Sequence, residues 1–521
     1  MAFSLPTLDF SWPLLAAVFA LIMARELWNM TYFKRRGIPG PTPLPFIGNL
    51  FGLSKGVHHV SRAYAKDYGD YCGTFLFRQK MYVVFNLDML REMMVKNFSC
   101  FVDHTTQVLK NRPADKMLTM LTGDHWRDVR NLISPTFSAA KMKKMSDLVN
   151  ECCDTLVANA GNLQAEENRV ECFSFFGGFT MDGIARCAFG LEVNSQKNPD
   201  DPFVKNAKEF TNFSVFSPVF LLSGIFPFMG HLFNFMDIGI IPKRVFAFFR
   251  SVVAGAAHLK KKAGPNQRQN FIHLLLNAHE DQDQGREAND LHDLVDEHHG
   301  VKEYFDSKRR TKVKLTDDEV LAQTMVFFLG GYETTRTLLG YAAFCLATNP
   351  GVQEKLVEEI EEVTPTRQSV DYGSVARMPY LDAVVCETLR LYPPVAAGER
   401  TCTETCTING ITFEKGVQVI FPYFAVHHDP KIWPEPEKFD PTRFSKENRE
   451  KRHPFAWLPF GAGPRNCIGM RFGLMESKMA LVRLLQNYRI ELDPKTELPV
   501  QPSNTSMIPK DGIFVRFTDR N

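Results

Sequence analysis

The longest helical pattern in the chain runs from Thr316 to Ala347, and it limits the fold more than any other feature. Thr316 followed by Glu319 matches a capping box, in which hydroxyl and carboxylate each bond the other residue's backbone N–H. The run "NPG", residues 349 to 351, stops the pattern. About 30 residues at 1.5 Å per residue make a rod of roughly 45 Å, long enough to cross a whole domain. Two glycines, Gly330 and Gly331, lie in its interior. Each costs about 1 kcal/mol relative to alanine, so something must offset them.

Helical patterns dominate from about Leu87 to Ala347. "VQEKLVEEIEEV" and "PYLDAVVCETLRLYPP" continue them, the second ending at Pro393 and Pro394. Residues 80 to 86 and 418 to 426 read as strands. The body is therefore expected to be mainly α with small β sheets. With 521 residues and 44% hydrophobic content, a large core is available. Length alone suggests two to four domains, but large enzymes also fold as one unit. A net charge of +2 gives no reason to expect nucleic-acid binding.

The N-terminus differs in kind. Residues 10 to 24 are uncharged and mostly apolar, and the apolar character resumes after Arg25 and Glu26 up to Phe33. That length can span a bilayer, with Arg25 and Glu26 snorkelling or paired and Trp12, Trp28, Tyr32 and Phe33 at the interfaces. Lys34, Arg35 and Arg36 follow the apolar run rather than precede it. A cleaved secretory peptide has the opposite order. Residues 1–33 thus read as a retained single-pass anchor, with the following chain cytoplasmic. Residues 34–50 hold "GIPGPTPLPFIGNL", which reads as a stiff linker. Residues 51–521 form the body.

Two segments stand apart in composition. Phenylalanine is dense between 203 and 249, as either core packing or an apolar lid that touches the bilayer. Residues 279 to 314 are highly charged and read as a solvated loop, with His292, His298 and His299 as surface residues rather than metal ligands.

The chain has 11 cysteines, with no CxxC pair and no zinc spacing. Cys402 and Cys406 come closest to a ligand pair, and nothing after them completes a site. Cys467 is set apart by its surroundings, "FGAGPRNCIGMRF". Ile468, Phe472, Met475, Met479 and Val482 follow at helical spacing, which puts Cys467 at a helix N-terminus. Unpaired N–H groups there favour a thiolate, and Arg465 adds a cation. Such a thiolate serves as a nucleophile or as a metal ligand. No histidine stands out as a partner base. A single axial ligand to haem iron suits an isolated cysteine.

Phe460, Gly463, Arg465, Cys467 and Gly469 fit Phe-x-x-Gly-x-Arg-x-Cys-x-Gly, and the chain resembles the cytochromes P-450, whose haem-binding signature this is. Other motifs follow in the right order. "ETLR" supplies Glu387 and Arg390, and "KFDPTRF" supplies Arg443; the resemblance makes these a structural clamp. "GGYETT" supplies Glu333 and Thr334, the acid–alcohol pair that would orient oxygen at the haem and deliver protons. Most relatives have Ala-Gly at Gly330-Gly331, so more room and looser packing are expected here. Trp126 and Arg130 in "WRDVR", together with Arg400 and Arg465, would contact the haem propionates. Val395, Ala396 and Ala397, after the Pro393–Pro394 break, would face the substrate. "NLISPTFSAAKMKKM" and "GGYETT" look closest to the third clan, which holds the drug-oxidising family 3 and thromboxane synthase.

The resemblance implies the cytochrome P-450 fold on an N-terminal anchor, in the endoplasmic reticulum membrane. It implies haem b as cofactor and insertion of one oxygen atom from O2 into a xenobiotic, steroid or fatty acid. Electrons would come from NADPH through cytochrome P-450 reductase, with cytochrome b5 as a further candidate donor. Arg127, Lys141, Lys143 and Lys144 are candidates for the reductase face. Two alternatives compete: a haem-thiolate isomerase of peroxides, which the alcohol of Thr334 disfavours, and a haem sensor or carrier without turnover.

Overall fold

A computed structural model describes residues 12–104, 110–166, 168–198, 200–211, 216–263, 271–279, 295–296, 301–302, 314–366, 370–504 and 506–520. Its first helix, α1 (Trp12–Met30), is long and apolar enough to cross a membrane. The expected boundary at residue 33 is displaced. Tyr32 and Phe33 are buried in the body, not set at a membrane interface. The Phe33 ring packs edge-on to Phe75 and Tyr82, with centroids 5.1 and 5.0 Å away. It fills a niche at Gly73, where an added Cβ would lie 2.2 Å from the ring. Glu26 is also buried, and its carboxylate meets Arg78 Nε at 2.9 Å.

The segment 34–50 is docked along the body instead of spanning a gap. Gly73 N–H donates to Pro39 O at 2.8 Å, and Asn49 N–H donates to Phe75 O at 2.7 Å. Asn49 Oδ1 accepts from the Thr74 hydroxyl and the Phe75 N–H. Prolines lack the donors for a full strand, so the contact is made at these few points.

Strands β1 (Tyr71–Leu76) and β2 (Gln79–Val84) form an antiparallel hairpin with Leu76 opposite Gln79. Only β2 was expected from the sequence. The helices that matter for the site follow: α2 (Gly123–Ile133), α3 (Ala139–Glu166) and, after the short β3 (Val170–Glu171), α4 (Cys172–Ile184). Then come α5 (Pro218–Ile225), α6 (Pro227–Phe235) and α7 (Lys243–Ala263).

The rod is α8 (Asp317–Thr348), 32 residues capped by Thr316 and Glu319 as expected. Most of it is buried. It lies close against α4 because small residues face large ones: an added Cβ at Gly331 would sit 3.0 Å from Ile184, and one at Gly340 would sit 2.8 Å from Phe173. The room expected from glycine in place of alanine is found at Gly330, where an added Cβ would meet nothing within 4 Å, while Gly331 is tightly packed.

Helix α9 (Pro379–Leu391) leads to β4 (Gly398–Thr401), the hairpin β5 (Cys406–Ile408) and β6 (Ile411–Phe413), and β7 (Gln418–Phe421). The run 418–426 is strand only as far as Phe421, since Pro422 has no N–H to continue a ladder and Tyr423–His427 is a helical turn. One sheet has the order β1-β2-β7-β4, with β2 and β7 parallel. Helix α10 (Met470–Leu485) precedes β8 (Tyr488–Leu492) and β9 (Phe514–Asp519), and β9 also pairs with β3. One hydrophobic cluster surrounds α8, and a second lies under the four-stranded sheet.

Part of the phenylalanine-rich segment is core and part is exposed. Phe249 is buried, and Phe203, Phe246 and Phe248 pack on the core. Phe216, Phe226, Phe228 and Phe235 are exposed, the last by 88%. Phe213 and the three histidines of the charged segment lie outside the described residues.

Candidate haem site

The site is built on the turn that precedes α10. Cys467 N–H donates to Phe460 O at 2.8 Å and closes the loop. Gly463 has φ +72°, and an added Cβ would come within 1.9 Å of Met94 O, so only glycine fits. At Gly469, the residue before α10, an added Cβ would meet nothing within 4 Å. Helix α10 thus starts three residues after Cys467 rather than at it. Burial pushes the Cys467 thiol up, outweighing the Gly469 N–H and Arg130, which favour the thiolate.

Cys467 is exposed although burial is the main influence on its thiol. Both hold for a side chain that lies deep in the fold and lines an internal space. Gly330 shows the same combination: it is exposed in the middle of α8, and an added Cβ would meet nothing within 4 Å.

Three buried arginines gather beside the cysteine loop. Arg130, from α2, donates to Asn466 O at 2.9 Å and to Asn466 Oδ1 at 2.6 Å. Arg400, from β4, donates to Glu399 O at 2.6 Å and faces the His104 ring at 3.2 Å. Arg465 donates to Leu121 O at 2.5 Å and lies over the Trp126 ring, 4.2 Å from its centroid. Its Nε and Nη1 are buried with no hydrogen-bond partner among the described residues. Asp103 Oδ1, 3.6 Å away, is its carboxylate neighbour.

Burial, followed by repulsion from Arg400, pushes the Arg465 guanidinium down to about 9. Burial and the same two arginines push His104 down to about 2, so it stays neutral. A cluster that holds this much buried positive charge is completed by anions. A haem fits these residues: a thiol opens onto an internal space, no side chain blocks Gly469, and unsatisfied guanidinium donors suit two carboxylates. Trp126 is buried as a platform under Arg465 rather than aimed outward. Asp103, His104 and Asn466 carry no motif, and the sequence did not mark them.

Helix α10 crosses α8 next to the acid–alcohol pair. An added Cβ at Gly473 would sit 3.7 Å from the Thr335 hydroxyl. Thr334 donates its hydroxyl proton to Gly330 O, one turn back, at 2.6 Å. The Glu333 carboxylate accepts from Arg336 Nε and Nη2 at 3.0 and 2.6 Å. That arginine partner was not foreseen.

Glu387, Arg390 and Arg443 meet as one network. Arg390 is bidentate on Glu387 at 2.7 and 2.8 Å, both side chains fully buried, and Arg443 Nε lies 3.4 Å from the same carboxylate. Arg390 also donates to His427 O, Pro436 O and Lys438 O. His427 Nε2 in turn accepts from Leu458 N–H at 2.8 Å, two residues before Phe460.

A cavity of about 680 Å³ opens beside the sheet, lined by Phe77, Phe220, Ala396, Ala397 and Met507 among others. Cys467 and Thr334 do not line it. Val395 is 46% exposed and is not among its lining residues.

Comparison with known proteins agrees with this geometry. The family model described as Cytochrome P450 matches residues 38–517. The chain is 36% identical to rabbit (Oryctolagus cuniculus) cytochrome P450 3A6, covering 100% of this chain and 98% of that protein. It is 35% identical to cytochrome P450 3A13 of Mus musculus, covering 98% and 97%. It is 34% identical to cytochrome P450 3A27 of the trout Oncorhynchus mykiss, covering 98% and 95%. With a matching family model across the body and an open thiol beside buried arginines, the chain belongs to the cytochrome P450 family and is a cytochrome P450 monooxygenase, similar to members of family 3.

Proposed function

We propose that the protein inserts one oxygen atom from O2 into a lipophilic substrate, with electrons passed from NADPH by a membrane-bound reductase. The observation that carries the reading is the exposure of Cys467 deep in the fold beside Arg130, Arg400 and Arg465. Cys467 would ligate the haem iron, and Arg400 and Arg465 would pair with the haem carboxylates. Arg130 holds the loop through Asn466. The haem supplies oxygen activation, which its thiolate ligand favours.

The chain's own residues position and protect that chemistry. Gly330 leaves room over the site, and the Thr334 hydroxyl, released from Gly330 O, can pass a proton into that room. Glu333 is held in place by Arg336 and stands one residue away, where its carboxylate can relay protons toward Thr334. Ala396 and Ala397 line a cavity beside the sheet, apart from Cys467 and Thr334, through which apolar substrates that dissolve in the bilayer can approach. The setting is the endoplasmic reticulum membrane with the body cytoplasmic, and cytochrome b5 is a further electron donor.

The test is spectral. Reduced, CO-treated protein should absorb at the position typical of thiolate-ligated haem. Cys467→Ala should lose that band, and a variant that kept it would reject the ligand assignment. Lipophilic compounds should shift the haem band of the wild type, and NADPH with reductase should yield oxygenated product.

A further inference from the structure

Gln323 is a buried polar side chain that the oxygen chemistry does not use. It lies on α8 about two turns before Gly330 and is fully buried. Both ends of its amide are bonded to one backbone segment. Nε2 donates to Lys116 O at 2.7 Å, and Oε1 accepts from Leu118 N–H at 2.9 Å. A carbonyl can only accept and an N–H can only donate, so this pairing fixes which way the amide faces.

The segment continues toward the arginine cluster. Met117 O accepts from Met120 N–H at 2.7 Å and from Leu121 N–H at 3.0 Å, so one tight turn joins Leu118 to Leu121. Leu121 O then accepts from Arg465 Nη2 at 2.5 Å. Two residues on, Gly123 N–H donates to Asp103 Oδ1 at 2.8 Å, the same oxygen that lies 3.6 Å from Arg465. The carbonyl and the carboxylate beside Arg465 are thus both bonded into residues 117–123. Two other polar links join the segment to α8. Lys116 Nζ lies 3.6 Å from Asp318, and His125 Nε2 lies 2.6 Å from Glu319. Lys116 and His125 reach them with half-exposed side chains, where water competes. The fully buried link is that of Gln323.

We propose that Gln323 is a positioning residue for Arg465. By clamping Lys116 and Leu118 to α8 it sets the Leu121 carbonyl, and that carbonyl aims the guanidinium. The proposal rests on the reading of Arg465 as a haem contact and adds what orients it. Orientation matters because Arg465 Nε and Nη1 are buried with no hydrogen-bond partner among the described residues. A planar guanidinium meets a carboxylate well only when its fork faces it. Helix α8 then serves the site twice, with room at Gly330 and a frame for the arginine.

The test uses the full-length, haem-loaded protein and follows haem transfer to excess apomyoglobin by absorbance, without reductase or substrate. Gln323→Met, which keeps an unbranched side chain but removes both bonds, is compared with Arg465→Ala and the double variant. Arg465→Ala should release haem faster, which checks the reading of Arg465 by itself. Gln323→Met should speed release roughly tenfold, the worth of about one hydrogen bond to a charged group. In the Arg465→Ala background the same substitution should add little, because the group it aims is gone. A merely structural role would give the same factor in both backgrounds. If Gln323→Met fails to fold, Gln323→Asn, an amide one methylene too short, goes through the same cycle. An unchanged rate in the Gln323 variant, or equal factors in both backgrounds, would overturn the proposal and leave the reading of Arg465 intact. An unchanged rate in Arg465→Ala would overturn that reading, and the proposal with it.

Discussion

Gly330 and Gly331 are adjacent and chemically identical, and the tertiary structure gives them opposite roles. At Gly330 an added methyl meets nothing within 4 Å, so Gly330→Ala should gain up to about 1 kcal/mol of helix stability. At Gly331 the methyl meets Ile184 at 3.0 Å, so Gly331→Ala should lose part or all of that gain through overpacking. Urea midpoints of the two variants check this, and equal shifts would sink the distinction. Glu476 offers a pH-dependent case. It is fully buried between α10 and α4, where an added Cβ at Gly183 would come within 2.1 Å of its Oε1. Burial holds its carboxyl well above the ordinary glutamate range. A raised folded value means that its contribution to stability is fully present below the unfolded value, about 4.3. It is lost as pH rises from there through the folded value. Glu476→Gln should therefore be more stable than wild type at neutral pH and should flatten the decline above pH 4.3. A wild-type slope retained in the variant would assign the decline to other groups.

At the scale of the element, α9 reaches the cysteine loop through the clamp at its C-terminal end. Glu387 and Arg390 are an i,i+3 pair, which on an exposed helix is worth a few tenths of a kcal/mol. Here both are fully buried, and burial still pushes the Glu387 carboxyl up despite its two arginines. Removing one partner of a buried pair costs about 3–5 kcal/mol. Arg390→Ala also strips three backbone carbonyls of their donor. It should lower the urea midpoint and the yield of haem-loaded protein together. Arg390→Lys should restore little, because an ammonium cannot reproduce the planar fork. Full rescue by lysine would show that charge alone matters there.

For the whole molecule, the anchor and the body are less separable than their compositions suggest. A truncation that ends before Tyr32 keeps Phe33 in its niche, whereas one that removes residues 1–33 empties it. Phe33→Ala should cost about 3–5 kcal/mol, so the longer truncation should be the less stable by a similar amount. Neither should make the protein fully soluble. Phe226, Phe228 and Phe235 are exposed on or next to the short helices α5 and α6. Burying one large side chain contributes roughly 1.5–3 kcal/mol, so two or three in lipid give measurable binding. Liposome flotation of the shorter truncation measures it; recovery in the aqueous fraction as a monomer would show that these rings have another use. The reductase face is testable in the same preparation. Lys143 and Lys144 are exposed, while Arg127 is paired with Asp124 at 2.6 Å. Reversing both lysines should weaken reductase-supported turnover and its salt dependence. Unchanged reductase affinity would remove them from the face.

The long capped helix, the long apolar helix near the N-terminus, the cysteine loop and the order of the motifs were all legible in the sequence, because each depends on residues close together in the chain. Caps, periodicity and glycine-rich turns are local physics. Other features required the folded chain. Tyr32 and Phe33 read as interfacial aromatics, yet they are core, because the niche at Gly73 lies forty residues away. Asp103, His104 and Asn466 carry no local signal, and only the convergence of Arg130, Arg400 and Arg465 gives them a role. The Glu333–Arg336 pair is by contrast a local i,i+3 contact on α8, which helical spacing could have marked and the sequence reading did not. Thr403 N–H donates to Cys100 O, a contact across about three hundred residues that no spacing rule can reach. Local geometry is written in neighbouring residues, whereas burial and charge balance are sums over everything the fold brings near.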